Sequence, residues 1–252
     1  MSDEKTVETT EEKKFKFPTE IVELPSKGLL YPKNNPLSSG KIEMKYMTAK
    51  EEDILTNQAY IQKGIVLDKL LESVIISKVN IDDLIVGDKN ALLIATRILG
   101  YGGNYEVTIS GNDEVIDLTQ LENKPFDETS FTKGVNEFSF TLPSSSTVVT
   151  YKLLTGKDEK AIERELAGLK KINKNASPEL STRLKHIITS VDGDIEKKSI
   201  REFIDGYLLA RDSRALREHI RDTQPDVDLN VILDSGEEVR VPIGLNFFWP
   251  DA

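Results

Sequence analysis

The sequence offers one acidic turn that could bind a divalent cation, the segment VDGD at residues 191–194. Asp192 and Asp194 supply two carboxylates, and carboxylate oxygens are ligands that hard divalent cations accept. A calcium-binding loop also needs a glutamate at its twelfth position, which Phe203 occupies when Asp192 is counted as the first. The pattern therefore favours a turn between two elements, with a metal-binding hydrolase as a remote alternative.

Other groups that could do chemistry are sparse. The chain has no Cys, and its two histidines, His186 and His219, do not form a spaced ligand pair. The glycine-rich segment at 100–103 follows a predicted helix rather than a strand, and it lacks the Lys and Ser/Thr of a phosphate-binding loop. No nucleophile, base and orienting group occur together. We therefore predict that the protein is not an enzyme and uses no cofactor, metal or small-molecule substrate.

A cationic cluster on one predicted helix is the first candidate binding surface. Arg214, Arg217 and Arg221 are three and four residues apart, so they lie on one face of the helix. Arginine forks suit bidentate pairing with carboxylates, which predicts that these side chains contact an acidic partner. The alternative is a solvated face whose arginines pair with interleaved acids such as Glu218 and Asp222.

Two apolar segments form the second candidate. They are the loop residues Leu29, Leu30 and Tyr31 and the residues Phe247, Phe248 and Trp249 near the C-terminus. Aromatic side chains are enriched in the buried centres of protein interfaces. We predict that both segments insert into grooves of a partner protein. The alternative for the C-terminal residues is a clasp that packs on the chain's own core.

Charge and composition narrow the classes of partner. The chain of 252 residues carries 43 acidic and 33 basic side chains, a formal charge of -10. Binding to a nucleic-acid backbone draws its affinity from cationic side chains, so we expect no nucleic-acid partner. No apolar run approaches the roughly 18–20 residues that cross a bilayer, and the N-terminus lacks the apolar region of a secretory signal. We expect no membrane association, and the absence of Cys fits a reducing cytoplasm.

The predicted elements place these candidates in an α+β fold. Alternating patterns and turn residues predict strands at 21–25, 41–47, 104–110, 114–118, 136–142, 147–154, 226–233 and 237–243. Apolar residues at helical spacing predict helices over 49–77 and 89–99 and around 162–172, 180–188, 200–208 and 212–222. Capping boxes begin the helices after Thr48 and Thr155, and Asp88 is the predicted cap of the helix at 89–99. Strands and helices are segregated along the chain, which favours α+β over a parallel α/β sheet.

The chain divides into three predicted segments. Residues 1–14 form an acidic tail that we expect to be disordered, because it has almost no apolar surface to bury. Residues 15–154 form an α+β domain. Residues 155–252 form a helical domain that ends in a β-hairpin and the aromatic segment.

Six segments together resemble a known family. They are LPSKGLLYP (24–32), GKIEMKYMTAKEEDIL (40–55), ITSVDGD (188–194), RDSRALREHI (211–220), PDVDLNV (225–231) and FFWPDA (247–252). They are similar to segments of the baseplate hub subunit and hub-assembly proteins of T-even-type, contractile-tailed bacteriophages. The similarity runs from about residue 20 to the end of the chain.

The resemblance implies a late phage protein that builds the central hub of the tail baseplate through protein–protein contacts. Its partners would be other baseplate hub or tail proteins, and a homo-oligomer is left open. The protein would act in the host cytoplasm and stay in the virion baseplate if retained; the alternative is a transient assembly chaperone absent from the mature virion. Some relatives carry a Cys pair in the last hairpin, where this chain has Asp226, Asp228 and Asn230, so a metal site is not implied.

Overall fold

A computed structural model describes residues 18–109, 112–172, 178–233 and 236–248 of the chain. The acidic tail predicted for residues 1–14 lies outside these ranges. The strands are β1 (Thr19–Glu23), β2 (Lys41–Lys45), β3 (Asn104–Ile109), β4 (Asn112–Asp117), β5 (Phe138–Thr141), β6 (Val148–Tyr151), β7 (Ile188–Val191), β8 (Asn230–Ile232) and β9 (Glu238–Arg240). The helices are α1 (Ala49–Leu55), α2 (Gln58–Gln62), α3 (Val66–Val74), α4 (Val86–Tyr101), α5 (Gly156–Ile172), α6 (Glu179–Ile187), α7 (Lys197–Gly206) and α8 (Ala210–Thr223).

The architecture confirms the predicted α+β class. When the short 3-10 helices are included, 47% of the described residues are helical and 20% are in strands. The strands pair antiparallel in the sheets β1–β2, β3–β4, β5–β6–β7 and β8–β9. Within β5, Phe138 and Phe140 lie on one face, and their rings stack on Tyr151 and His219 respectively.

The capping box at the start of α1 is confirmed, and its Glu51 also links α1 to β2 and α3. The Thr48 backbone N–H and hydroxyl both donate to Glu51 Oε2, at 2.9 and 2.6 Å. Glu51 Oε1 accepts from Lys45 Nζ at 2.8 Å and from Ser73 Oγ on α3 at 2.6 Å. Burial alone would raise the pKa of Glu51, but the hydrogen bonds from Lys45, Ser73 and Thr48 outweigh it and hold the pKa at about 2.

We expect Glu51→Gln to remove a contribution to stability that depends on pH. A carboxyl whose pKa is lower in the folded chain stabilises it above the unfolded pKa and loses that effect as pH falls through the folded value. Loss of charged hydrogen bonds should lower the free energy of unfolding by about 2 kcal/mol at pH 7. Denaturant unfolding should show this difference narrowing between pH 4.5 and 2. Asp53→Asn on exposed Asp53 is the control, and a difference that does not change with pH would contradict the argument.

The single helix predicted over 49–77 is instead three short helices. Helix α1 ends at Leu55, and the Asn57 side chain accepts the Tyr60 N–H at 3.1 Å, which caps α2. Gly64 takes a left-handed φ of 67° and separates α2 from α3. The prediction followed the apolar stripe and overlooked these two turn residues.

The predicted start of α4 is also corrected, because Asp88 lies in the first turn and faces the interior. Its Oδ1 accepts the Ser26 N–H at 2.9 Å, and its Oδ2 accepts the Ser26 and Tyr31 hydroxyls at 2.6 and 2.5 Å. Burial is the main reason that the pKa of Asp88 is raised, although these hydrogen bonds lower it. The network holds the loop 24–40 against α4.

This attachment corrects the prediction that Leu29, Leu30 and Tyr31 insert into a partner protein. Leu30 and Tyr31 keep only 2% and 4% of their surface exposed, and Leu29 is half-buried. Insertion into a partner's groove requires exposed side chains. In the folded chain these residues instead belong to the core, because the loop folds back onto the chain's own helix.

The C-terminal aromatic residues are a clasp as far as the structure describes them. Phe247 and Phe248 are 1% and 0% exposed, and the Phe247 ring lies 5.1 Å from that of Tyr105. Buried Arg97 donates from Nε to the Phe247 carbonyl at 3.1 Å and also binds the carbonyls of Gly102 and Asn104. The prediction that Phe247 and Phe248 insert into a partner is therefore corrected, and Trp249 lies outside the described residues.

The central sheet joins the two predicted domains. Strand β7 follows α6 without a break, where the apolar pattern predicted that the helix continues through Ile188. It pairs with β6, with Val149 opposite Val191 and Thr150 opposite Ser190. One hydrophobic cluster contains residues from both sides, so sheet and core run across the predicted boundary at residue 154.

Candidate protein-binding site

Helix α8 presents the predicted arginine face because its other face is firmly packed. Ser213 and Leu216 are buried, and the ring of His219 stacks on Phe140 with centroids 4.5 Å apart. The helical period therefore directs the arginines outward. Arg214, Arg217 and Arg221 are all exposed, as the prediction requires.

A buried carboxylate fixes the first turn of α8 to the central sheet. Asp212 is 0% exposed and accepts the backbone N–H groups of Ser144 and Ser145, at 2.7 and 3.0 Å. These residues belong to the loop between β5 and β6. Asp212 therefore anchors the helix and does not neutralise the arginine face.

The arginines pair only partly within the helix. Arg214 Nε lies 2.7 Å from Glu218 Oε1, and Arg221 Nε lies 2.9 Å from Asp222 Oδ1. Arg217 Nε donates to the Ser213 carbonyl at 3.3 Å. The alternative, a solvated face whose arginines pair with acids of the same helix, therefore holds for Arg214 and Arg221 but not for Arg217. Exposed pairs of this kind are weak, about 0–1 kcal/mol, so an acidic partner could replace them.

Three neighbouring residues extend the surface beyond the predicted set. Arg211 is exposed and, like Arg217, has no ion pair with any residue the structure describes. Tyr207 and Leu209 are 67% and 50% exposed. The sequence placed Tyr207 in a helix stripe, but α7 ends at Gly206 and leaves it outside. Gly206 was the signal in the sequence that the helix ends before Tyr207.

We call this surface the arginine face, defined as the outward side of α8 with Tyr207 and Leu209. Its four arginines and the acids Glu218 and Asp222 give it a formal charge of +2, whereas the whole chain carries -10. Exposed Tyr and Arg are also the residue types that most often dominate binding energy at interfaces. The arrangement can therefore bind a surface that combines carboxylates with apolar groups.

The acidic turn at 191–194 uses its carboxylates on the backbone. Asp192 and Gly193 have φ values of 47° and 84°, which a tight hairpin turn requires. Asp192 Oδ1 accepts the Val148 N–H at 2.8 Å, and Asp194 Oδ1 accepts the Glu196 N–H at 2.8 Å. Within the described ranges, no group of three or more His, Cys, Asp or Glu side chains is placed to hold a metal ion.

Comparison with known proteins finds no match among family models, curated proteins or solved structures. The similarity to phage baseplate proteins therefore stays a prediction from the sequence. Within the described part of the chain, none of the helices has the length and apolar character that a bilayer-spanning segment needs.

Proposed function

We propose that the protein is a non-enzymatic interaction module that helps to assemble the baseplate hub of a contractile phage tail. The observation that carries this proposal is the arginine face, which is exposed and net positive in a chain that is acidic as a whole. The resemblance of six sequence segments supports the choice of assembly. The partner is another hub or tail protein with an acidic surface.

The packing of α8 supports a preorganised contact. Asp212 fixes the first turn to the loop after β5, and His219 fixes the last turns to the sheet. A helix held at both ends loses little conformational freedom on binding, which favours affinity. The arginines would set the register of the partner through charge pairs, and Tyr207 and Leu209 would supply the apolar contact.

The experiment that tests the proposed role is quantitative mass spectrometry of phage particles and of the infected-cell lysate. A few copies per particle, in fixed ratio to other baseplate proteins, would establish a structural hub subunit. Abundance in the lysate with absence from particles would establish the transient chaperone instead. Absence from particles and from every assembly intermediate would overturn the proposal.

Charge reversal tests the arginine face itself. We expect Arg211→Glu with Arg217→Glu to reduce the yield of infectious particles at least about tenfold, because like charges then face the acidic partner. Both side chains are exposed, so the unfolding temperature should stay unchanged. The matched control is Lys170→Glu with Lys171→Glu on exposed positions of α5, which changes the net charge equally. Equal yields from both variants in a complementation assay would exclude this face as the binding surface.

A further inference from the structure

A second cationic site lies where the end of α6 meets the start of α7, beside strand β7. It is a pocket of about 340 Å³. Four cations line it, namely Lys152, Lys185, Lys197 and Arg201. Ile188, Ile195 and Ile200 also line it, but Ile188 and Ile200 are 3% and 5% exposed, so Ile195, at 74%, supplies most of the accessible apolar surface beside the cations.

Most of these cations already bind carboxylates of the chain itself. The pairs are Lys152 Nζ with Asp158 at 2.6 Å, Lys185 Nζ with Asp205 at 2.7 Å and Arg201 with Glu165 at 3.5 Å. Lys197 has no ion pair among the residues that the structure describes. The pocket is therefore a place where carboxylates are bound, and one of its ammonium groups is still available.

The position of Lys197 costs the protein stability. Lys197 and Lys198 are the first two residues of α7, where positive charge opposes the helix dipole. Residues that oppose the local preferences of a helix in this way occur mainly at functional sites. Ile195, just before the helix, is 74% exposed and lines the same pocket. Exposed Ile195 and unpaired Lys197 therefore offer an apolar contact and a positive charge side by side.

We propose that this pocket binds an acidic segment of a partner protein, with a carboxylate on Lys197 and an apolar side chain against Ile195. A carboxylate suits the site because the chain already uses carboxylates on the neighbouring cations. An isolated inorganic anion would leave Ile195 without contact, whereas a peptide covers it and gains the free energy of apolar burial. The pocket is separate from the arginine face, and the proposal does not depend on the phage assignment.

The test is an NMR titration of the full chain with a seven-residue peptide that alternates Glu and Leu. Saturable shifts are expected at Thr189, Ile195 and Ile200, and none with the peptide in which Gln replaces Glu. Lys197→Glu should weaken binding at least about tenfold, because attraction becomes repulsion inside the pocket. Lys198→Glu is the control with the same net charge and should stay within about twofold. Ile195→Ser should weaken binding about threefold without changing the unfolding temperature.

Three results would overturn the proposal. One is the absence of saturable shifts with the Glu peptide. Another is an equal loss of binding in Lys197→Glu and Lys198→Glu, which would mean unspecific charge attraction. A third is the same pattern of shifts with inorganic phosphate alone, which would make the pocket a simple anion site. Each variant is compared by its unfolding temperature, so a folding defect is separated from lost binding.

Discussion

Replacing Phe248 with alanine should lower the free energy of unfolding by about 3–5 kcal/mol, the usual cost of deleting a buried aromatic ring. Phe248 is 0% exposed, and its ring lies 5.4 Å from that of Phe247. The ring fills space that the surrounding backbone cannot close. Denaturant unfolding of Phe248→Ala measures the loss directly. The control is Tyr207→Ala, which removes an aromatic ring that is 67% exposed and should change stability by less than about 0.5 kcal/mol.

Truncation separates the two interpretations of the C-terminal residues. Removal of 247–252 deletes both buried rings and leaves Arg97 without the Phe247 carbonyl. A buried guanidinium that loses a partner is costly, so this truncation should prevent stable folding. Removal of 249–252 alone keeps every contact described for Phe247 and Phe248. If the chain lacking 247–252 folds normally but no longer binds its partner, these residues do not form a clasp. The prediction that they insert into a partner would then be restored.

Local chemistry explains which parts of the fold could be predicted from the sequence. The capping boxes at Thr48 and Thr155 join residues three apart, and both are present. The shared face of Arg214, Arg217 and Arg221 follows from helical spacing, which also depends on near neighbours. The turn at 191–194 needs only a glycine and a flanking Asp.

Contacts between distant residues explain what the sequence could not show. The hydrogen bond between Ser26 and Asp88 spans 62 residues, so an apparent helix cap became a buried anchor for the loop. Strand β7 forms because β6 offers it a partner, and the sequence pattern had placed its first residue, Ile188, at the end of α6. The pocket at Lys197 takes side chains from several elements, and no spacing in the sequence brings them together.

A methyl group added at Gly87 should be among the most damaging single changes in the chain. A Cβ built on Gly87 would lie 2.0 Å from the Pro225 carbonyl oxygen and 2.9 Å from Asp226 Cα. Both atoms belong to backbone, which cannot turn aside as the end of a flexible side chain can. Either α4 or the segment after α8 must move, and overpacking of this severity costs about 3 kcal/mol.

The same substitution at Gly168 gives the matched control. Gly168 lies in α5, and a Cβ there would meet nothing within 4 Å. Gly168→Ala should therefore stabilise the chain by about 0.5–1 kcal/mol, because alanine restricts the unfolded backbone and favours the helix. Thermal unfolding should move in opposite directions for Gly87→Ala and Gly168→Ala. A stabilising effect at both positions would show that α4 does not pack directly on Pro225, and the N-terminal end of that helix would then need another neighbour to bury it.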